Sequence, residues 1–76
     1  MYRDYAIGHA FAVLREQKGL TQGDIAEALG CEQSLISKVE SGQRSIKLRE
    51  MPFFAAALGL TSQELQEALL ADLTNQ

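Results

Sequence analysis

The sequence is short of nearly everything that catalysis, export or metal binding would need. Cys31 is its one cysteine, His9 is its one histidine, and tryptophan is absent. A lone cysteine excludes an intramolecular disulfide and a cysteine-based metal cluster. A lone histidine lacks the partners that a metal site requires. No nucleophile elbow, phosphate-cradling glycine loop or paired His/Cys set is present, and the carboxylates do not converge at any visible spacing. An enzyme is therefore not expected, and neither is a cofactor or a metal. His9, Glu64 and Glu67 read as solvated side chains, and Cys31 as a small apolar plug facing Ile36. Pro52 is the only proline, so no proline-rich linker divides the chain. No apolar run approaches the roughly 20 residues that cross a bilayer. Arg3 and Asp4 interrupt the opening, unlike the start of a secretory leader. The cytoplasm is the expected compartment.

What is present fits one small helical domain spanning residues 1–76. Apolar residues make up 46% of the chain, an ordinary globular fraction that argues against disorder. Their spacing is helical, and β-branched runs are scarce. At 76 residues a single core is marginal, so regular helix packing or a second copy would help. The net charge of −3 is unevenly spread. Between Gln33 and Arg49 stand Lys38, Arg44, Lys47 and Arg49 against the single acid Glu40. From Glu50 onward there are four acids and no base. One end attracts phosphate and the other repels it.

The stretch Thr21–Gly42, TQGDIAEALGCEQSLISKVESG, organises the rest. Thr21 fits an N-cap, with Leu20 placed to staple onto Ile25. A helix over Gln22–Leu29 would carry Ile25, Ala26 and Leu29 on one face, and Gly30 supplies the left-handed residue that ends it. A second helix over Gln33–Ser41 follows, with Glu32 at its N-cap. At about 100° per residue Leu35, Ile36 and Val39 fall on one side. Gln33, Ser34, Ser37, Lys38 and Ser41 fall on the other, with no acid among them. A polar stripe usually means a solvated face. Here it accompanies a small Ala26 and a turn Gly30, which two steeply crossing helices need, as in a helix-turn-helix. In that setting Gln33, Ser34 and Lys38 are the expected base-edge readers, with Ser37 a weaker one. Gln suits adenine and Lys suits guanine. Leu35 would meet a thymine methyl only if it is not buried.

TQGDIAEALGCEQSLISKVESGQRS resembles the helix-turn-helix of the Cro/repressor-like DNA-binding family, the small phage and bacterial regulators of the XRE type. With LREQKGL upstream and ALGLTSQEL downstream, the resemblance covers roughly residues 7–70. It implies an all-α, five-helix fold like that of the lambda repressor and a sequence-specific regulator, most simply a repressor. The partner would be double-stranded DNA, bound by a homodimer on a palindromic operator. It further implies an Arg15–Glu40 ion pair locking the first helix to the recognition helix. Gln22 would anchor a phosphate, and the loop after Gly42 would run along the DNA backbone, with Gln43, Arg44 and Lys47 as phosphate contacts. Glu32 departs from the usual small capping hydroxyl. The acidic total leaves a second reading open: a protein-interaction module, antitoxin-like or an anti-regulator, that kept the fold and binds a protein partner.

The remaining helices are plainer. The first is expected over Asp4–Lys18, with Ile7, Ala10, Phe11 and Leu14 buried and Gly19 closing it. Gly8 marks either a close contact or an unimportant surface site. Tyr2 and Tyr5 fit core, dimer contact or surface equally well. Pro52 belongs in a first turn. A regular helix is therefore expected from about Pro52 to Gly59, with Lys47–Met51 looser and Phe53, Phe54, Ala57 and Leu58 in the core. Thr61-Ser62-Gln63-Glu64 is a capping box that opens a last helix over residues 61–73. Leu65, Ala68, Leu69 and Leu73 form its stripe, and Leu70 lies off it. Leu69, Leu70 and Leu73 are the candidate dimer contacts, with Thr74–Gln76 a tail.

Overall fold

Helix ends are set by local chemistry. A computed structural model describes residues 4–74, which form α1 (Asp4–Gln17), α2 (Gln22–Leu29), α3 (Gln33–Glu40), a 3-10 turn (Leu48–Glu50), α4 (Met51–Ala57) and α5 (Ser62–Thr74). There is no strand among the described residues. Thr21 Oγ1 accepts from the Asp24 backbone N–H at 3.0 Å, and Asp24 Oδ2 accepts from the Thr21 N–H at 2.8 Å. The Thr61–Glu64 box at the start of α5 closes the same way, at 3.1 and 2.9 Å. These backbone donors favour the ionised acids, so both carboxyls are held below their ordinary values. Gly30 ends α2 at φ +68, and the Cys31 N–H closes the turn onto the Ala26 carbonyl at 3.0 Å.

The helices close a circuit around one core: α1 packs on α3 and α5, α2 on α3 and α4, and α4 on α5. Phe11, Ile25, Ile36, Val39, Phe54, Ala55, Leu58, Leu65, Leu69 and Leu73 are buried. At the centre Phe11 and Phe54 meet edge to face, with ring centroids 5.5 Å apart. Cys31 is half-buried against this core, as are Ile7, Leu14 and Ala57.

Several sequence expectations need correction. Phe53 is 65% exposed, and Ala55 takes the core position expected of it. Phe54 of α4 and its cap Leu58 are buried as expected, and Ala55 joins them. A 3-10 turn over Leu48–Glu50 runs directly into α4, which begins at Met51. Leu69 and Leu73, expected as dimer contacts, are core residues only 6% and 7% exposed. With Leu65 they form the i, i+4, i+8 seam of α5. Leu70 is 53% exposed. Helix α1 stops at Gln17 and α3 at Glu40, with Ser41 as its cap. Thr74 is still helical, and the rest of the expected tail lies outside the described residues, as does Tyr2. Tyr5 is exposed, which leaves out the core option.

Gly8 marks a close contact. A Cβ there would land on the Val39 carbonyl oxygen at the α1–α3 crossing. Farther along, the Glu50 carboxylate receives Arg44 Nη1 at 3.1 Å and Nη2 at 2.6 Å, and the Lys47 backbone N–H at 3.0 Å. Glu50 thereby ties the loop to the start of the 3-10 turn. Arg44 first, then the Lys47 amide, depress the Glu50 carboxyl from 4.5 to about 2.

Two outcomes are expected. Gly8→Ala should destabilise the fold by about 1–3 kcal/mol in urea unfolding, because the clash outweighs the helix propensity gained. Gly23→Ala is the control: its Cβ would meet nothing closer than 3.6 Å, so stability should hold or rise. The second outcome concerns acid. A carboxyl whose folded pKa is depressed stabilises above its unfolded value and loses that contribution as pH falls through the folded one. The Glu50 contribution should therefore be complete above about pH 4.5 and fade toward pH 2. Glu50→Gln should flatten that part of the stability–pH curve.

Candidate nucleic-acid interface

Helix α3 has one clamped side and one free side. Ile36 and Val39 are buried and Leu35 is half-buried, while Gln33, Ser34, Ser37 and Lys38 are all exposed. The four polar side chains expected to read bases thus share one solvent-facing surface. Helix α2 and α1 hold α3 from behind. Glu32 occupies the N-cap position in an extended conformation, but its side chain makes no capping bond. Its exposed carboxylate stands at the edge of the same face.

An ion pair fixes α3 to α1. Arg15 Nε lies 2.7 Å from Glu40 Oε2, and Nη2 lies 3.1 Å from Oε1. The remaining guanidinium edge donates from Nη1 to the Leu20 carbonyl at 2.7 Å. The two side chains are 12% and 7% exposed. The Glu40 hydrogen bond raises the Arg15 pKa above its ordinary value. Bidentate geometry and partial burial make this pair directional, unlike a surface ion pair.

Gln22, expected as a phosphate anchor, is half-buried at the start of α2. Its Nε2 donates to Glu40 Oε1 at 2.9 Å, and its Oε1 faces Gln33 Nε2 at 3.5 Å. One N–H of Gln22 is therefore committed inward. The loop residues expected to touch phosphate fare differently from one another. Lys47 and Gln43 are exposed, and Gln43 Nε2 donates to Ser41 Oγ at 3.0 Å. Arg44 is bound by Glu50, so much of its charge is neutralised within the chain. The backbone N–H groups of Gln43 and Arg44 do not face outward. Both donate to the Lys38 carbonyl, at 2.8 and 3.2 Å, and close the end of α3. Arg44 nevertheless lines the same shallow hollow as Ser34, Leu35 and Lys38.

Sequence reasoning missed Glu50 and the Gln22–Glu40 contact. Lys47 carries no capping hydroxyl, so the spacing Lys47-x-x-Glu50 gave no signal. The signal at Thr21-x-x-Asp24 was present, in the shorter of the two acids. Among the described residues no group of His, Cys, Asp and Glu is placed to hold a metal ion, and no helix is long and apolar enough to cross a membrane.

Comparison with known proteins converges on this architecture. Residues 6–69 match the model of a family described as "Helix-turn-helix domain". The chain is 37% identical over 59 residues to an HTH-type transcriptional regulator, y4dJ, of Sinorhizobium fredii, covering 78% of this chain and 77% of that protein. It superposes on the restriction-modification controller protein C.AhdI from Aeromonas hydrophila with a TM-score of 0.70 and 35% identity, over 79% of this chain and 91% of the other. The clp gene regulator ClgR from C. glutamicum shares the fold, with a TM-score of 0.77 at 24% identity, over 90% of this chain and 88% of the other. The matched span contains α2, the Gly30 turn and α3, and the chain belongs to the helix-turn-helix domain family.

Proposed function

We infer that this protein is a sequence-specific DNA-binding transcriptional regulator that acts as a repressor, binding a palindromic operator as a homodimer. The observation that carries the reading is the exposed row Gln33, Ser34, Ser37 and Lys38 on a helix whose opposite side is anchored. In a major groove, Gln33 pairs with adenine and Lys38 with guanine, while the two serines bond to either base or to phosphate. Lys47, Gln43 and the second N–H of Gln22 contact the backbone, which sets register without reading sequence. Arg44 adds to that contact only through the part of its guanidinium that Glu50 leaves open. Regulation follows by occlusion of, or contact with, RNA polymerase.

The homodimer reading rests on α5. Leu70 stands exposed beside a hollow lined by Ile7, Ile46, Met51 and Gln66, with the edges of Leu69 and Leu73 at its floor. A second copy meeting there isologously would bury Leu70. Its two α3 helices would need a separation of about 34–36 Å to enter successive major grooves.

Selection from a random DNA pool tests the reading and reports half-site spacing at once. On the selected site, Lys38→Ala should relax preference at one base pair by about 1–3 kcal/mol. Lys47→Ala should weaken binding to all sequences and lower the salt slope by about one. If both variants behave like the parent, the face is misassigned. Leu70→Glu should shift sedimentation from dimer to monomer and weaken operator binding, while leaving the helical circular dichroism unchanged. A parent that sediments as a monomer at the highest concentration reached would refute the homodimer.

A further inference from the structure

The Arg15–Glu40 pair touches more than the two helices it joins. Glu40 Oε1 accepts from Gln22 Nε2 at 2.9 Å as well as from Arg15 Nη2. A carboxylate gripped by a guanidinium only accepts hydrogen bonds. The Gln22 amide therefore has one allowed orientation, with its NH2 toward Glu40 and its carbonyl away. That carbonyl is the atom facing Gln33, whose Nε2 stands 3.5 Å away. The distance is long for a hydrogen bond, but the polarity is unambiguous, since Gln22 offers Gln33 an acceptor.

We propose that Glu40, held by Arg15, is a positioning residue for base recognition: it fixes the Gln22 amide, and Gln22 in turn fixes which end of the Gln33 amide is left for DNA. With one Gln33 N–H drawn toward Gln22, the other N–H and the carbonyl oxygen remain. A donor beside an acceptor matches N7 and N6–H2 of adenine. Were the Gln22 amide reversed, it would offer an N–H and draw in the Gln33 carbonyl. The Gln33 NH2 would then lead, and donors alone match N7 and O6 of guanine. The proposal rests on the DNA-binding reading above and adds an origin for adenine over guanine at the base pair that Gln33 meets. Glu40 has the chemistry for the task because a carboxylate cannot donate. A glutamine in its place presents either end and leaves Gln22 free to turn.

The test compares site selection for the parent, Gln33→Ala, Glu40→Gln and Gln22→Met, with thermal unfolding of each. Gln33→Ala should erase the base preference at one position per half-site. Glu40→Gln and Gln22→Met should lower the adenine-to-guanine ratio at that same position about tenfold. Preferences at all other positions should stay within about twofold, which loss of structure would not allow; Gln22→Met also gives up its backbone contact, so its affinity for every sequence should fall by one common factor. Side-chain amide NMR gives a reading without DNA: the Gln22 NH2 resonances should shift in Glu40→Gln. If Glu40→Gln fails to fold, Gln22→Met carries the test, because it leaves the Arg15–Glu40 pair intact. Should Gln22→Met, and Glu40→Gln if folded, keep the parental ratio while Gln33→Ala loses it, the relay is refuted and the DNA-binding reading stands. A parent that binds no DNA, or a Gln33→Ala that keeps its preference, overturns the relay together with the contact it serves.

Discussion

The close approach of α1 and α3 is the constraint on which the rest depends. Gly8 has no side chain because the Val39 carbonyl occupies the space where a Cβ would be. That contact places the backbone of the second motif helix against the first helix of the chain. About two turns along α1, Arg15 reaches the last residue of α3 through its two bonds to Glu40. A steric contact at one point and a directional ion pair at another fix both the spacing and the rotation of α3. Burial of Ile36 and Val39 decides which side of α3 faces inward, and the ion pair narrows the roll about its axis that burial alone leaves. The exposed row from Gln33 to Lys38 keeps one aspect because that roll is limited.

Those parts of the architecture set by neighbours in sequence were legible without coordinates. Thr21, Gly30 and Thr61 act through bonds to residues three or four positions away, and the bounds of α2 follow from the first two. The polar and apolar sides of α3 were legible for the same reason, as a helix of known period has only one way to sort eight residues. What escaped was decided across the chain. Phe53 is exposed and Ala55 buried, because which side of so short a helix turns inward is settled by its contacts with α2 and α5. Arg44 looked like an available cation because nothing in the residues around it announced Glu50. The apolar seam of α5 was read correctly, but Leu69 and Leu73 had two possible uses, and periodicity does not distinguish a core from an interface.

The pairing of charges also explains how an acidic chain suits the proposed task. The described residues hold two ion pairs, and each removes an acid near α3 from the field that DNA would meet. Glu40 is spent on Arg15 and Glu50 on Arg44. Among the described residues, no carboxylate lies within ion-pair distance of Lys38, Lys47 or Arg49. The acids of α5 lie beyond the polar row in sequence, and Glu64 is committed to its own helix cap. Over distances longer than about 10 Å at ordinary ionic strength such charges are screened. Local sign, and not the total of −3, therefore governs attraction at the interface. Glu32 remains exposed at the edge of the row, where it opposes phosphate.

An apolar pair of equal volume would hold α1 to α3 as well as Arg15 and Glu40 do, and often better, because desolvating two charges costs nearly what their attraction returns. Stability alone does not account for an ion pair that is about nine-tenths buried. Direction does. The guanidinium fork accepts the carboxylate in one plane, spends its last edge on the Leu20 carbonyl, and so also fixes the chain where it turns into α2. The carboxylate keeps enough accepting capacity to bind the amide of Gln22. One pair thus orients α1, the start of α2 and the end of α3 about a single point. A leucine and a methionine there would fill the same space and leave each of those three segments to find its own angle.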